Sequence, residues 1–138
     1  MKVDFLLLLP LTFLLATSAA ARDCRNPVNQ NDMNTCAADE YKAADAKLNA
    51  AYKKLLPQYP DADRELLRKV QRAWLSFRDA ECKFRNVGNE GGSIWPMVHF
   101  GCLADLTRAR TKQLEAAMNC QEGDLSCNQP NGARDAAD

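Results

Sequence analysis

Residues 61–85 read DADRELLRKVQRAWLSFRDAECKFR, and the reading of this stretch decides the fold. Leu67, Val70, Trp74, Phe77 and Phe84 recur at helical steps, which predicts one amphipathic helix with these side chains on its inner stripe. Asp61 is a good N-cap residue type. Glu65 with Lys69, Asp79 with Lys83 and Glu81 with Arg85 are spaced for i,i+4 ion pairs on the wet side. A helix of about 25 residues at 1.5 Å per residue is nearly 40 Å long. Upstream, Tyr41, Ala44, Leu48, Tyr52, Leu55 and Tyr59 mark a second helical face, with Asn29 or Asn31 as its cap and Pro57 and Pro60 as its end. Downstream, Asn86-Val87-Gly88-Asn89-Glu90-Gly91-Gly92-Ser93 breaks the pattern, because three glycines in so short a stretch disfavour helix. Ser93 is then expected to cap a turn through Ile94-Trp95-Pro96. A third helix follows to about Met118, with Val98, Cys102, Leu106, Ala109, Leu114 and Ala117 inward and Gly101 as a point of bending. No alternating strand pattern appears. The expected class is all-α, a small antiparallel bundle of three helices stapled by disulfides.

The chain has 138 residues, and its first segment sets the compartment. Met1-Lys2 is followed by the apolar run Phe5 to Ala16 and the small residues Thr17 to Ala21, the pattern of a secretory signal peptide cleaved after Ala20 or Ala21. An apolar run of about twelve residues falls short of the roughly twenty that span a bilayer. The expected organisation is a signal peptide over 1–21, a helical domain over 22–120 and a polar tail over 121–138, frayed in its last ten residues. All six cysteines, Cys24, Cys36, Cys82, Cys102, Cys120 and Cys127, lie beyond the leader. An even count in an exported chain predicts three disulfides, although six cysteines admit fifteen pairings. Nearness along the chain favours Cys24–Cys36, Cys82–Cys102 and Cys120–Cys127. No closely spaced ligand pair suggests zinc, and no metal or other cofactor is expected.

Lys and Arg balance Asp and Glu at 18 each, with the start and tail of the mature chain leaning acidic and 61–85 leaning basic. No basic stripe points to nucleic acid. Catalysis lacks its materials. His99 is the one histidine, so neither a Ser-His-Asp triad nor a Cys-His pair is readily built, and His99 is expected to be structural. Asp79 and Glu81, two apart on a helix, point in different directions. The glycines at 88, 91 and 92 lack the Lys-Ser/Thr of a phosphate loop. Arg78 and Glu81, at the edges of the predicted core stripe, are expected to join Thr107 or Arg110 in a semi-buried polar network between helices.

A series of motifs runs along the chain: Cys24 to Cys36 around Asn29-Gln30-Asn31-Asp32-Met33-Asn34, then Tyr41, Leu48-Asn49 and Tyr52, then Gln71-Arg72-Ala73-Trp74, Phe77-Arg78-Asp79 and Glu81-Cys82. Gly91-Gly92-Ser93, Cys102, Leu106-Thr107, Arg110-Thr111 and Leu114 complete it. Taken in order, the series resembles the bacterial LprI-type lysozyme-inhibitor domain. The family takes its name from a mycobacterial lipoprotein that inhibits lysozyme. This chain lacks a lipid-attachment cysteine, so a soluble periplasmic or secreted protein without a stable membrane span is expected. The resemblance implies a protein partner, such as a lysozyme, and no enzymatic activity. An inhibitor must block a cleft that holds catalytic carboxylates with a rigid element of complementary charge. The loop from Asn86 to Ile94 is the candidate, with Asn89, Glu90 and Ser93 as partner-binding residues. Two other readings stay open, an assembly factor of the cell envelope and an immunity protein against an exported toxin.

Overall fold

The computed structural model describes residues 23–121, 123–125 and 127–128; the signal-peptide and frayed-tail expectations fall outside them. Three long helices carry the fold: α1 over Gln30–Leu55, α2 over Asp61–Arg85 and α3 over Trp95–Met118. Short 3₁₀ turns, Leu56–Gln58 and Val87–Asn89, follow α1 and α2. No strand occurs among the described residues. The Asn29 side chain caps α1, accepting the Asp32 N–H at 2.9 Å. Pro57 lies in the 3₁₀ turn that ends α1. Pro60, not Asp61, occupies the cap position of α2. Asp61 is instead the first helical residue, where its carboxylate pairs with Arg64 and complements the helix dipole.

Consecutive helices are antiparallel, so α1 and α3 run in the same direction. Gln30 meets Met97 and the Asn34 amide donates to the Ser93 carbonyl at 2.9 Å, joining the two N-terminal ends. At the far end Leu48, Ala51, Leu55, Tyr59 and Leu114 form the apolar core, with Leu67, Trp74 and Met118 packed on it. Small buried residues, Ala44, Ala51, Ala104, Thr107 and Thr111, let α1 and α3 approach closely along their length. The side chains of α2 that face this pair are larger, and α2 touches it more sparingly.

The inner face of α2 differs from the predicted stripe. Its buried residues are Gln71, Arg78 and Cys82, with Leu67 and Trp74 partly buried beside them. Val70, Phe77 and Phe84 face outward and are 43%, 53% and 75% exposed. The helix is therefore turned by about a quarter of a revolution, at 100° per residue, from where apolar periodicity places it. The reason is chemical: the true inner face carries a guanidinium, an amide and a half-cystine. Of the expected i,i+4 pairs, Glu81–Arg85 forms at 2.6 Å, whereas Glu65 takes Arg68 at 3.2 Å and Asp79 takes Arg78 at 2.8 Å. On α3 the inward residues are Leu103, Ala104, Thr107, Thr111 and Leu114. Ala109 is exposed, and Gly101 lies inside an unbroken helix. Ser93 does not cap this helix; Ile94 precedes it without a side-chain cap, and Pro96 stands in the first turn, where a missing N–H costs nothing.

Three disulfides, Cys24–Cys36, Cys82–Cys102 and Cys120–Cys127, join Cα atoms 5.5, 5.6 and 5.9 Å apart. These are the neighbour-to-neighbour pairings. The second ties α2 to α3 across a 20-residue separation, a closure worth on the order of 3 kcal/mol in the chain-entropy account. Among the described residues, no helix is long and apolar enough to cross a membrane.

Candidate functional site

Arg78 is the centre of the polar seam between the helices. Only 5% exposed, it donates to the Thr107 hydroxyl at 3.2 Å and to Asp45 at 3.3 Å. Its Nε reaches Asp79 at 2.9 Å. The guanidinium carbon sits 5.3 Å from the Tyr41 ring centroid and 5.5 Å from that of Trp74, within cation–π range. Arg110 approaches the same Trp74 ring at 5.9 Å and donates to Gln71 at 3.1 Å. One cation thus gathers α1, α2 and α3 with its hydrogen bonds satisfied, the condition under which a buried charge is tolerated. Burial pushes the Tyr41 phenol above its ordinary pKa, against the opposing pull of Arg78, and lowers that of Arg110. Arg78 and Thr107 are therefore in direct contact. Glu81 lies apart from them, paired to Arg85, and Arg110 joins through Trp74 and Gln71.

At the 86–94 loop, Asn89 donates its N–H to the Asn86 carbonyl at 3.0 Å, Glu90 to Val87 at 3.2 Å and Gly92 to Asn89 at 3.0 Å. The segment is thus a run of tight turns. Gly91 has φ +79°, and a Cβ on Gly92 would lie 3.1 Å from the Asn89 carbonyl oxygen, so larger residues at either position would disturb the turn. The base is fixed by Cys82–Cys102 and by the buried Asn86 amide, which donates to the Cys82 carbonyl at 2.8 Å. The Ser93 carbonyl is held by Asn34.

Glu90 does not stand alone at a loop tip. It helps line a cleft of about 490 Å³ with Tyr41, Asp79, Lys83, Trp95, His99 and Leu103. Trp95 and His99 stack with ring centroids 4.5 Å apart, and Phe100 links His99 to Tyr41 at 5.9 and 6.0 Å. The His99 Nδ1 is buried with no hydrogen-bond partner among the described residues. This aromatic series went unrecognised in the sequence, although Trp95 and His99 are four apart and share a helix face. Asn89 and Ser93 flank the cleft-lining Glu90 in the chain but are not among the residues that line it. The wall mixes two carboxylates, one ammonium and an aromatic floor, a surface suited to binding a polar partner. Among the described residues, no group of histidine, cysteine or carboxylate side chains is placed to hold a metal.

Comparison with known proteins gives the relationship. The family model described as lysozyme inhibitor LprI matches residues 22–114. An uncharacterized protein of Rhizobium meliloti (strain 1021) is 39% identical over 131 residues, covering 81% of this chain and 94% of its own length. The uncharacterized protein YecT of Escherichia coli (strain K12) is 32% identical over 124 residues, covering 75% and 76% of the two chains. No solved structure gives a significant match. With the matched segment running from ahead of the first disulfide to the core residue Leu114, the chain belongs to the LprI lysozyme-inhibitor family.

Proposed function

We propose that this chain is exported and inhibits a lysozyme by seating the rim of its cleft, the loop 86–94 with Glu90, against the mouth of the enzyme's active site. The observation that carries the reading is family membership across 22–114. The geometry supports it in two ways. Glu90 is exposed on a turn whose base is covalently fixed, so little ordering is needed on binding. The neighbouring Trp95 offers a flat aromatic contact of the kind enriched at binding hot spots, with the Asp79 carboxylate beside it. Three disulfides fit an oxidising compartment outside the cytoplasm, which is where a lysozyme is met. The domain works as a rigid ligand for a protein, with no chemistry of its own.

The test is a lytic assay with the purified oxidised protein against lysozymes of several classes. Near-stoichiometric inhibition of at least one class is expected. Glu90→Lys should weaken it by roughly 1–3 kcal/mol, the range for leaving a charged partner unpaired, and added salt should weaken the wild type in the same direction. Unchanged inhibition by that variant would move the contact away from the loop. Absence of inhibition across all classes would remove the lysozyme reading.

A further inference from the structure

Five of the eight exposed large hydrophobic residues among the described residues lie on one strip, Leu66, Val70, Phe77, Phe84 and Val87, at 59%, 43%, 53%, 75% and 60% exposure. Ala73 and Ala80, also exposed, fill the gaps between them. Along α2 the apolar series is Leu66, Val70, Ala73, Phe77, Ala80, Phe84, with steps of four, three, four, three and four residues. That alternation is the seven-residue repeat of a helix that pairs with another helix. Among the described residues nothing covers it, because α2 packs by its other side, through Gln71, Arg78 and Cys82. The strip runs about 27 Å at 1.5 Å per residue. A contiguous exposed apolar strip of this kind marks an interaction surface.

We propose that a second copy of this chain docks here, the two α2 helices pairing in antiparallel fashion about a two-fold axis. The side-chain sizes name the occupant. One heptad position holds Val70, Phe77 and Phe84, all bulky; the other holds Leu66, Ala73 and Ala80, small over its central part. In antiparallel pairing the two positions face each other. Setting Phe77 opposite the partner's Ala73 also sets Val70 opposite the partner's Ala80 and Phe84 opposite the partner's Leu66. Val70 and Phe77 each meet an alanine, Phe84 meets a leucine at the end of the pair, and the match is reciprocal, as an isologous interface requires. Parallel pairing would put Phe77 against Phe77 and Ala73 against Ala73, a clash beside a void. The antiparallel register also brings Ser76 of the two copies together at the axis and places Lys69 near the partner's Lys83. One helix pair is small beside a standard interface, so the dimer is reversible and depends on concentration. It is argued apart from the lysozyme reading: the pairing residues Leu66, Val70, Ala73, Phe77, Ala80 and Phe84 line no part of the cleft, and of the strip only Val87, outside that pairing series, belongs to the 86–94 loop.

Sedimentation of the oxidised full chain across a wide concentration range tests the proposal, with lysozyme absent. The mass should rise from one to two chains. Phe77→Glu and Phe84→Glu should each keep the protein monomeric at the highest concentration, with unchanged far-ultraviolet spectrum and melting when dilute. Ser76→Cys should give a dimer linked through residue 76, which parallel pairing would not. Added salt should strengthen association by screening Lys69 from the partner's Lys83, the reverse of its effect on Glu90-mediated inhibition. A wild type that stays monomeric throughout overturns the proposal. So does a dimer that survives both glutamate substitutions, or one whose residue-76 variant never cross-links.

Discussion

Trp74 and Phe77 stand three residues apart on α2, yet the first packs against the core within reach of two guanidinium groups and the second is 53% exposed. The same contrast runs the length of the helix. Its inner side is buried and largely polar, built on Gln71, Arg78 and Cys82. Its outer side is apolar and faces solvent from Leu66 to Phe84. On this face only Leu67 and Trp74 bring apolar burial against the core; the rest holds α2 in place by directional contacts and a disulfide. Such contacts orient more than they stabilise. The outer face has the opposite character: non-directional attraction with nothing among the described residues to satisfy it. Burial and polarity are thus uncoupled on this one helix, and substitutions on its two sides should behave accordingly.

The largest effect belongs to the inner side. Trp74→Ala removes the ring that Arg78 and Arg110 both approach and that packs on the Leu48–Leu55–Leu114 core. Thermal or urea unfolding should show a loss of roughly 3–5 kcal/mol, the range for emptying a packed aromatic site. A loss below about 1 kcal/mol would mean that the two sides of α2 do not differ in the way argued.

Arg78→Met sharpens the comparison by keeping the stem and deleting the charge. Thr107 and Asp45 lose a donor, but Asp45 is 36% exposed and Asp79 is 62% exposed, so water replaces much of what they lose. A cost of about 2 kcal/mol is expected, within the range for hydrogen bonds to charged groups. A stabilised Arg78→Met variant would show the cation to be retained for orientation alone.

The fold was legible where local chemistry and tertiary demand agree. Asn29 caps, Pro57 ends a helix, and the glycines at 88, 91 and 92 break one, whatever surrounds them. The disulfides followed chain neighbours because each closes a local turn or an adjacent helix pair. The phase of α2 was not legible. Periodicity weighs apolar residues, and here Leu67 and Trp74 meet the core while Val70, Phe77 and Phe84 point away from it and Arg78 points in. What admits Arg78 is a set of partners from other helices, Asp45, Tyr41 and Thr107, which no window on α2 contains. The cleft was half legible: Glu90 was singled out as a loop charge, but the Trp95–His99 stack beside it required the α3 start to lie against α2.

A subtler test uses pH. Burial raises the pKa of both Tyr41 and Tyr59, so each neutral phenol is favoured by folding. Stability from these groups is complete below the unfolded value near pH 10 and is lost as pH rises through the folded one. Urea midpoints should therefore fall above about pH 10, and Tyr41→Phe should flatten part of that fall. Tyr59→Phe should flatten another part of it. It should also cost about 1 kcal/mol at neutral pH, since the Tyr59 hydroxyl donates to the Asn128 carbonyl at 2.9 Å. Identical alkaline curves for wild type and both variants would count against buried neutral phenols.

The smallest effect is expected at the residue that looks most like Trp74 in the sequence. Phe77→Ala on the outer side removes an aromatic ring of which the monomer buries less than half. Little packing is lost, and alanine is the better helix former by a few tenths of a kcal/mol. The two terms oppose each other, so dilute protein should unfold within about 0.5 kcal/mol of the wild type, on either side of it. Raising the concentration should then separate the two, because ligation by a second copy stabilises only the form that binds it. The wild-type midpoint should climb while that of the variant stays put. A dilute Phe77→Ala protein that loses more than about 1 kcal/mol would show that Phe77 packs within its own chain, and the distinction between the two faces of α2 would fail at its clearest pair.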